Sequence, residues 1–459
     1  MKPVQRPFQK KVGGGWRAPQ RAATPPSGLA ARDLAVSAIY SVIVDRRAFD
    51  DAFARAAETR PMAPRDRAFA RAIASAALRR HGELKAVITR FLQKPLPERQ
   101  GRLDAILLSA AAQLLILKSP PHAAISLAVD QCHNDTSAQR FAKLVNAVLR
   151  RVSVEGEAIV AGLDPAALNV PSWLYRRWQG AYGAEDARRI ALASMEEPAL
   201  DLTVKADPAR WAGALGGIVL PTGSVRLADA GRIEELAGFA EGEWWVQDAA
   251  AALPVKLLGD VAGQAVLDVC AAPGGKTAQL ATAGARVTAL DKSAGRLKRL
   301  LSNLERLQLS VETAVGDAAT YAPSRAFDAI LVDAPCTATG TIRRHPDILH
   351  LKRPEDVASL AAVQARILAR SADLLRPGGR LVYCTCSLEA DEGPKQIAAF
   401  LSAQPRFRRL PVVAGEAGID PTWLTDAGDV RTLPFHVDEL AEGLRGLDGF
   451  YFARLEKSV

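Results

Sequence analysis

Cysteine is scarce in this chain, which has five cysteines and six histidines among its 459 residues. The odd number of cysteines argues against a disulfide framework, and no two of them have the CxxC spacing that is typical of a structural zinc site. The histidines form no cluster with the cysteines that would supply a set of metal ligands. We therefore expect reduced thiols and no bound metal.

Long apolar runs are also missing. The longest nearly apolar stretch, Ala105 to Leu117, is too short to span a bilayer and is typical of a buried helix. Residues 1–28 contain six lysines and arginines and no acid, but they lack the apolar segment of a secretory signal. We expect a cytoplasmic protein without membrane spans, with residues 1–28 as a basic disordered tail. Two interpretations of this tail stay open: a solvated extension without a role, and an arm that neutralises RNA phosphates.

Basic residues outnumber acidic ones, with 59 lysines and arginines against 50 aspartates and glutamates and a formal net charge of +9. This balance favours a polyanionic partner, and nucleic acid is the leading candidate. The length of the chain predicts about three domains. After the basic tail, the residue pattern changes twice along the chain, which divides the rest of the chain into three regions.

The first two regions are mainly helical. Residues 29–155 place apolar side chains at i, i+3, i+4 and i+7, which predicts an all-α domain. Residues 156–250 continue as a helical linker and then alternate short strand and helix patterns, which predicts a small α+β connector. The linker has an aromatic and basic face, "PSWLYRRWQGAYG", that begins at the helix-starting Pro171.

Residues 251–459 predict an α/β domain. The segments "AVLDVC", "RVTALD", "VETAVGD", "AFDAILVDAP" and "GRLVYCTC" are short apolar runs that helical patterns separate. Strands that alternate with helices predict a mainly parallel, doubly wound sheet. Ligands of such sheets bind at the carboxyl ends of the strands, where these segments carry their acids and cysteines.

The stretch "LDVCAAPGGKT", Leu267 to Thr277, predicts a strand, a glycine-rich turn and a helix. It is not a phosphate-binding loop, because Cys270 stands where that motif needs glycine, and a G-x-G-x-x-G motif is absent. Asp291 follows the next strand and is placed to bind ribose hydroxyls, and Asp317 follows a third strand and is placed to bind an adenine amino group. An adenosine without phosphates, such as S-adenosylmethionine, fits this pattern. The alternative is that each acid only caps a helix or ends a strand.

Cys336 and Cys386 end two neighbouring predicted strands and are expected to meet beside the ligand. Such a pair suits a substrate that needs a nucleophile, because carbon 5 of a pyrimidine attacks a methyl donor only after a thiolate adds to carbon 6. Asp333 would hydrogen-bond the N3 edge of that ring. The residues by themselves do not say which cysteine adds to the ring.

The segments "CAAPGGKT", "LDKS", "GDA", "DAPCTATGTIRRHPDI", "YCTCS" and "DGFYFARL" together resemble the RsmB/Sun family of RNA cytosine-5 methyltransferases. The resemblance implies an all-α NusB-like RNA-binding N-terminal domain, the small α+β connector and a C-terminal Rossmann-like class I methyltransferase domain. It also implies S-adenosyl-L-methionine as cofactor and 16S ribosomal RNA as partner, naked or in an early assembly intermediate, with the enzyme acting as a monomer. Methylation of tRNA or another rRNA site, and a non-catalytic assembly or antitermination factor, are the alternatives.

The same resemblance assigns roles to residues. Cys386 would be the covalent nucleophile and Cys336 would assist release of the methylated base, while Cys384 is interpreted as a packing residue. The cofactor site would consist of Cys270, Ala271, Ala272, Pro273, Gly274, Gly275, Lys276, Asp291, Asp317 and Asp333. The candidates for RNA contact are Arg343, Arg344 and His345, for which ordinary surface charge is the alternative.

Overall fold

The computed structural model describes residues 28–97, 100–228 and 230–459. The predicted basic tail, residues 1–28, therefore lies outside the described residues except for Gly28, which precedes the first helix. The described residues form a helical domain, a small mixed connector and an α/β domain, in that order. The predicted fold class is confirmed.

In the described part of the N-terminal domain, seven α-helices bury a common apolar core. Their bounds are α1 Leu29–Ile43, α2 Phe49–Glu58, α3 Pro64–Arg79, α4 His81–Arg90, α5 Leu103–Leu115, α6 Pro121–His133 and α7 Ala142–Ala161. Proline opens α3 and α6, at a position where a helix does not need the missing N–H group. The longest apolar stretch forms the buried helix α5, as predicted, and the predicted boundary at residue 155 falls inside α7. Among the described residues, no helix is both long and apolar enough to cross a membrane.

The connector contains three helices and an antiparallel sheet in the order β2-β3-β1-β4. Its elements are α8 Pro165–Asn169, α9 Ser172–Ala193, β1 Leu200–Val204, α10 Pro208–Leu215, β2 Ile218–Val219, β3 Val225–Leu227 and β4 Trp244–Val246. The Asp207 side chain caps α10 by accepting a hydrogen bond from Arg210 N at 3.0 Å. Gly216 ends that helix in the left-handed conformation. The short strand and helix predicted here are thus present.

The C-terminal domain is built on an eight-stranded sheet in the order β10-β12-β9-β8-β5-β6-β7, with β11 paired to β12. Strands β5 to β9 pair in parallel with one another, whereas β12 runs antiparallel to β9. The strands are β5 Ala265–Val269, β6 Arg286–Asp291, β7 Glu312–Val315, β8 Phe327–Asp333, β9 Leu375–Thr385, β10 Phe407–Arg409, β11 Val430–Arg431 and β12 Tyr451–Lys457. The helices are α11 Leu253–Leu257, α12 Gly275–Thr282, α13 Ala294–Arg306, α14 Ile348–Leu351, α15 Pro354–Leu374 and α16 Pro394–Ala403.

The three regions meet at residues 340–352, which follow β8. Asp347 accepts a hydrogen bond from the backbone N–H of Phe49 at the start of α2, over 3.0 Å. The Arg79 guanidinium of α3 donates to the carbonyl of Arg343 over 2.9 Å. Trp178 of α9 packs into an apolar cluster with residues that follow β8 and β9. The loop after β8 is therefore held by the helical domain and by the connector.

Candidate active site

A cavity of about 410 Å³ lies at the carboxyl ends of the parallel strands. It is located where the strand order reverses between β5 and β8, the usual ligand site of a doubly wound sheet. Its lining includes Cys270, Ala272, Asp291, Asp317, Asp333, Cys336 and Cys386. The fold thus brings together predicted cofactor residues and both predicted functional cysteines from five separate segments of the chain.

The glycine-rich loop between β5 and α12 turns sharply at two positions. Cys270 has φ 64° and Gly274 has φ 107°, both in the left-handed region. A Cβ atom at Gly274 would lie 2.8 Å from Leu300 Cγ, so the close packing of loop and α13 requires glycine. The other predicted loop residues line a second cavity of about 510 Å³: Ala271, Pro273, Gly274, Gly275 and Lys276. The loop therefore separates two cavities instead of presenting all its residues to one.

Asp333 lines both cavities and binds Lys276 between them. The distance from Lys276 Nζ to Asp333 Oδ2 is 2.8 Å. Burial opposes the charge of Lys276, but the Asp333 carboxylate and the nearby thiols of Cys384 and Cys386 outweigh it and raise the lysine pKa. Lys276 is therefore a buried ammonium ion beside the cysteines.

Asp291 and Asp317 each combine a local structural role with a place in the first cavity. Asp291 is 2% exposed and accepts hydrogen bonds from Ala272 N at 3.3 Å and Ser293 N at 2.9 Å. Asp317 is exposed and accepts from Ala319 N at 2.9 Å. Both acids line the first cavity as well as completing local turns, and their role in binding a cofactor stays a prediction.

The Sγ atoms of Cys336 and Cys386 are 3.4 Å apart. Cys336 follows β8 and Cys386 follows β9, so the parallel pairing of these strands brings the two residues together. The contact with Cys386 and burial both raise the pKa of the Cys336 thiol well above its ordinary value. Burial therefore favours the neutral thiol form of Cys336 in the free protein.

Cys384 is buried in the apolar core beneath the site. Its Sγ lies 3.5 Å from Asp333 Oδ1, and burial followed by this carboxylate raises the pKa of the thiol well above its ordinary value. Such a thiol is a poor nucleophile at neutral pH. Its position is that of a packing residue under Asp333.

The sequence did not single out two buried carboxylates near the site. Asp268, inside β5, accepts a hydrogen bond from the Thr277 hydroxyl at 2.6 Å, and burial raises its pKa to about 7. Glu392 accepts hydrogen bonds from Thr337 and Ser387, the residues that follow the two cysteines. Asp268 lies within the segment Leu267 to Thr277, and Glu392 follows Cys386 by six residues. The sequence does not distinguish these two acids from surface acids, because only the fold buries them beside polar donors.

The predicted RNA-contact residues occupy different environments. Arg343 is 1% exposed, and its guanidinium donates to the carbonyl of Arg445 at 3.2 Å. Arg344 bridges Asp248 of the connector, at 2.6 Å, and Asp448 near the C-terminus, at 3.1 Å. Burial removes Arg343 from the surface, so it is not placed for a direct RNA contact. Arg344 is partly exposed and lines the second cavity, so its contact with RNA stays a prediction.

His345 differs from the two arginines before it. Its side chain is 48% exposed and it lines the second cavity beside Lys276 and Asp333. It therefore stays a candidate for contact with a substrate. Among the described residues, no group of three or more His, Cys, Asp or Glu side chains is arranged to hold a metal ion.

Two family models match the chain. Residues 255–456 match 16S rRNA methyltransferase RsmB/F, and residues 29–154 match the NusB family. The curated relatives include two proteins named "Ribosomal RNA small subunit methyltransferase B". The relative from Xanthomonas campestris pv. campestris is 37% identical over 95% of this chain and 99% of its own length. The relative from Vibrio cholerae is 35% identical over 93% of this chain and 97% of its own length.

Solved structures show the same fold. The crystal structure of PH0851 superposes with a TM-score of 0.73 and 24% identity, over 94% of this chain and 99% of the other. A methyltransferase homolog protein from Pyrococcus horikoshii superposes with a TM-score of 0.52 and 25% identity, over 64% of this chain and 98% of the other. The first match covers 94% of this chain, and the second covers about two thirds of it.

Proposed function

Because the chain belongs to the 16S rRNA methyltransferase RsmB/F family, we propose that it methylates carbon 5 of a cytosine in 16S ribosomal RNA. The proposed methyl donor is S-adenosyl-L-methionine, and the proposed nucleophile is Cys386, which adds transiently to carbon 6 of the base. Cys336 would assist release of the methylated product. Family membership supports the RNA methyltransferase activity, and the residues of the cavity support the chemistry.

The observation that carries this proposal is the pair of thiols beside three acids. Cys336 and Cys386 lie 3.4 Å apart in the cavity that Asp291, Asp317 and Asp333 also line. A methyltransferase that acts on oxygen or nitrogen needs no thiol, since these atoms have lone pairs of their own. Two cysteines at the methyl-transfer site favour a pyrimidine carbon as the acceptor.

The donor set of the cavity fits S-adenosyl-L-methionine. Asp291 offers a buried carboxylate at the end of β6 that would accept hydrogen bonds from ribose hydroxyls, and Asp317 offers an exposed one for the adenine amino group. Backbone N–H groups of the glycine-rich loop and the start of α12 would favour a carboxylate. The bound cofactor would supply an electrophilic methyl group on a sulfonium centre.

The chain's own residues supply the remaining chemistry. The Cys386 thiolate would form a bond to carbon 6, which moves electron density to carbon 5 and makes that carbon nucleophilic. Protonation of N3 would balance the charge that the thiolate brings to the ring, and Asp333 would accept a hydrogen bond from the protonated N3 and favour this addition. After carbon 5 has gained the methyl group, a base such as water takes the proton of carbon 5, the electron pair of that C–H bond restores the double bond, and the Cys386 sulfur leaves carbon 6 as a thiolate. Cys336 is placed to promote that proton removal, and the target base must be unpaired or flipped out of its stack.

Tritium transfer from labelled S-adenosyl-L-methionine to 16S RNA tests the proposal, and bisulfite sequencing of the product locates the modified cytosine. We expect label in 16S RNA that lacks the modification and none with Cys386→Ala. A fully active Cys386→Ala would overturn the covalent mechanism. Label that appears only in tRNA or in another rRNA would overturn the assigned substrate.

A further inference from the structure

Glu392 joins the two segments that carry the functional cysteines. Its side chain is fully buried, and Thr337 N donates to its Oε1 over 3.0 Å while Ser387 Oγ donates to its Oε2 over 2.5 Å. The Thr337 hydroxyl also donates to Oε2. Since Thr337 follows Cys336 and Ser387 follows Cys386, one carboxylate holds the neighbours of both thiols.

A third element completes this network. Gln364 of α15 donates from its Nε2 atom to Glu392 Oε1 over 3.0 Å and to the carbonyl of Pro335 over 2.9 Å. The residues on both sides of Cys336 are therefore linked to Glu392, one directly and one through Gln364. Four neutral donors converge on two oxygens, an arrangement that suits a carboxylate because it accepts hydrogen bonds without donating. Burial raises the pKa of Glu392, and the hydrogen bonds from Ser387 and Thr337 oppose that rise.

The two cysteines depend on Glu392 unequally. Cys386 directly follows the central strand β9, and its carbonyl accepts a hydrogen bond from Gly340 N over 2.9 Å. Thr337, in contrast, directs both its backbone N–H and its hydroxyl to Glu392. Loss of the carboxylate should therefore displace Cys336 more than Cys386.

We propose that Glu392 is a positioning residue that fixes Cys336 beside Cys386 and thereby sets the rate at which the methylated base is released. This inference rests on the proposed function, in which Cys336 acts after methyl transfer. Glu392 is not among the residues that line the cavity, so it acts on Cys336 through Thr337. Replacement by glutamine keeps the size of the side chain but places an NH₂ donor against the donors of Thr337, Ser387 and Gln364.

The test compares Glu392→Gln with Glu389→Gln in the full-length protein. Glu389 is the matched control, because it is also buried on the same segment but pairs with Arg177 of α9 instead of the loop that carries Cys336. Steady-state kinetics with 16S RNA give kcat and KM, and a denaturing gel gives the fraction of protein linked covalently to RNA. For Glu392→Gln we expect kcat to fall about tenfold or more with KM within about twofold, since small misplacement of a catalytic group slows chemistry strongly. The covalently linked fraction should rise.

Glu389→Gln should retain the kcat and the covalently linked fraction of the unaltered protein, even where its thermal stability falls. Equal kcat and equal adduct in the two variants would overturn the role of Glu392. Thr337→Val serves where Glu392→Gln does not fold: it removes one hydrogen bond to the carboxylate and should raise the adduct fraction to a smaller extent, and an unchanged fraction would overturn the inference. Absence of any adduct or methylation with the unaltered protein would instead contradict the proposed function.

Discussion

The thiols of Cys336 and Cys386 are in van der Waals contact at 3.4 Å, although 50 residues separate them in the chain. In the proposed mechanism the two sulfur atoms act in sequence on one base, Cys386 before methyl transfer and Cys336 after it. Their contact means that one small pocket serves both steps. It also lets single substitutions separate the steps.

Cys336→Ala is expected to trap the enzyme on its substrate. Cys386 still adds to the base, but release of the product slows, so protein linked to RNA accumulates and turnover falls. Denaturing electrophoresis of the variant with 16S RNA and S-adenosyl-L-methionine measures the linked species. Cys336→Ala combined with Cys386→Ala is the control and should give none, and a linked species in that double variant would assign the bond to another residue.

Cys384→Ala should leave the methylation rate largely unchanged, because this thiol packs in the core and contacts Asp333 only at 3.5 Å. Removing the buried sulfur should lower the free energy of unfolding by about 1 kcal/mol through the small cavity left behind. Denaturant unfolding and the methylation assay measure the two effects. Loss of activity as complete as that of Cys386→Ala would mean that Cys384 takes part in the reaction.

Gly340→Ala should impair activity through the backbone. A Cβ atom there would lie 1.8 Å from Gly449 O, and Gly340 N donates to the carbonyl of Cys386. The loop that carries Cys336 must then move away from Gly449, which also disturbs its hydrogen bond to the Cys386 carbonyl, so we expect loss of most methylation activity together with a lower unfolding midpoint. Gly295→Ala on α13 is the matched control, since its nearest neighbour, Ser293 Oγ, lies at 3.8 Å. That variant should be fully active and equally or slightly more stable. Equal activity of the two variants would contradict this account of Gly340.

Arg344→Ala should destabilise the domain junction by about 3 kcal/mol, because it leaves the buried carboxylates of Asp248 and Asp448 without their shared partner. Chemical denaturation measures the change. His345→Ala, at the next and exposed position, is the control and should alter stability by less than about 0.5 kcal/mol. Weaker RNA binding by Arg344→Ala with unchanged stability would instead support the arginine as an RNA contact.

Asp268→Asn should change how stability depends on pH. Burial raises the pKa of Asp268 from 3.8 to about 7, and Asp333 and Asp291 act in the same direction while Thr277 and Lys276 oppose it. The folded state therefore binds this proton more tightly than the unfolded state, so the carboxyl group lowers stability as pH rises from about 4 to about 7 and lowers it fully above that range. The stability of Asp268→Asn relative to the unaltered protein should increase over this interval by a few kcal/mol. Unfolding at pH 4, 5.5 and 7.5 tests this, and a constant difference would place the Asp268 pKa below 4.

Local patterns were sufficient to predict the helical domain, the connector and the parallel strands. Apolar periodicity indicated the helices because burial of one face imposes it, and short apolar runs that end in acids indicated strands of a buried sheet. The glycine-rich turn and the acids after β6, β7 and β8 indicated a cavity at the carboxyl ends of the strands. The order of the strands did not follow from these patterns, since pairing joins β8 to β5 and to β9 across long stretches of sequence.

The arginines of "RRHPDI" show where local reasoning failed. Two adjacent arginines in a loop predict a basic surface, but Arg343 is buried, and Arg344 pairs with Asp248 and Asp448, which lie about one hundred residues away on either side. Glu392 escaped notice for the same reason, because a glutamate is usually exposed and only the fold surrounds this one with four donors. The residue types alone did not indicate the environment of these arginines or of Glu392.

Residue types and spacing within short segments were enough to indicate the class of each domain, the family to which the chain belongs and the cysteines that are candidates for the chemistry. Which side chains meet depends on the fold. In the folded protein, Cys336 contacts Cys386, and Cys384 is buried beneath Asp333. Arg344 links the connector to the C-terminal domain, and Glu392 accepts hydrogen bonds from both cysteine loops. These contacts join residues distant in the chain, and burial and charge pairing in the folded state select them.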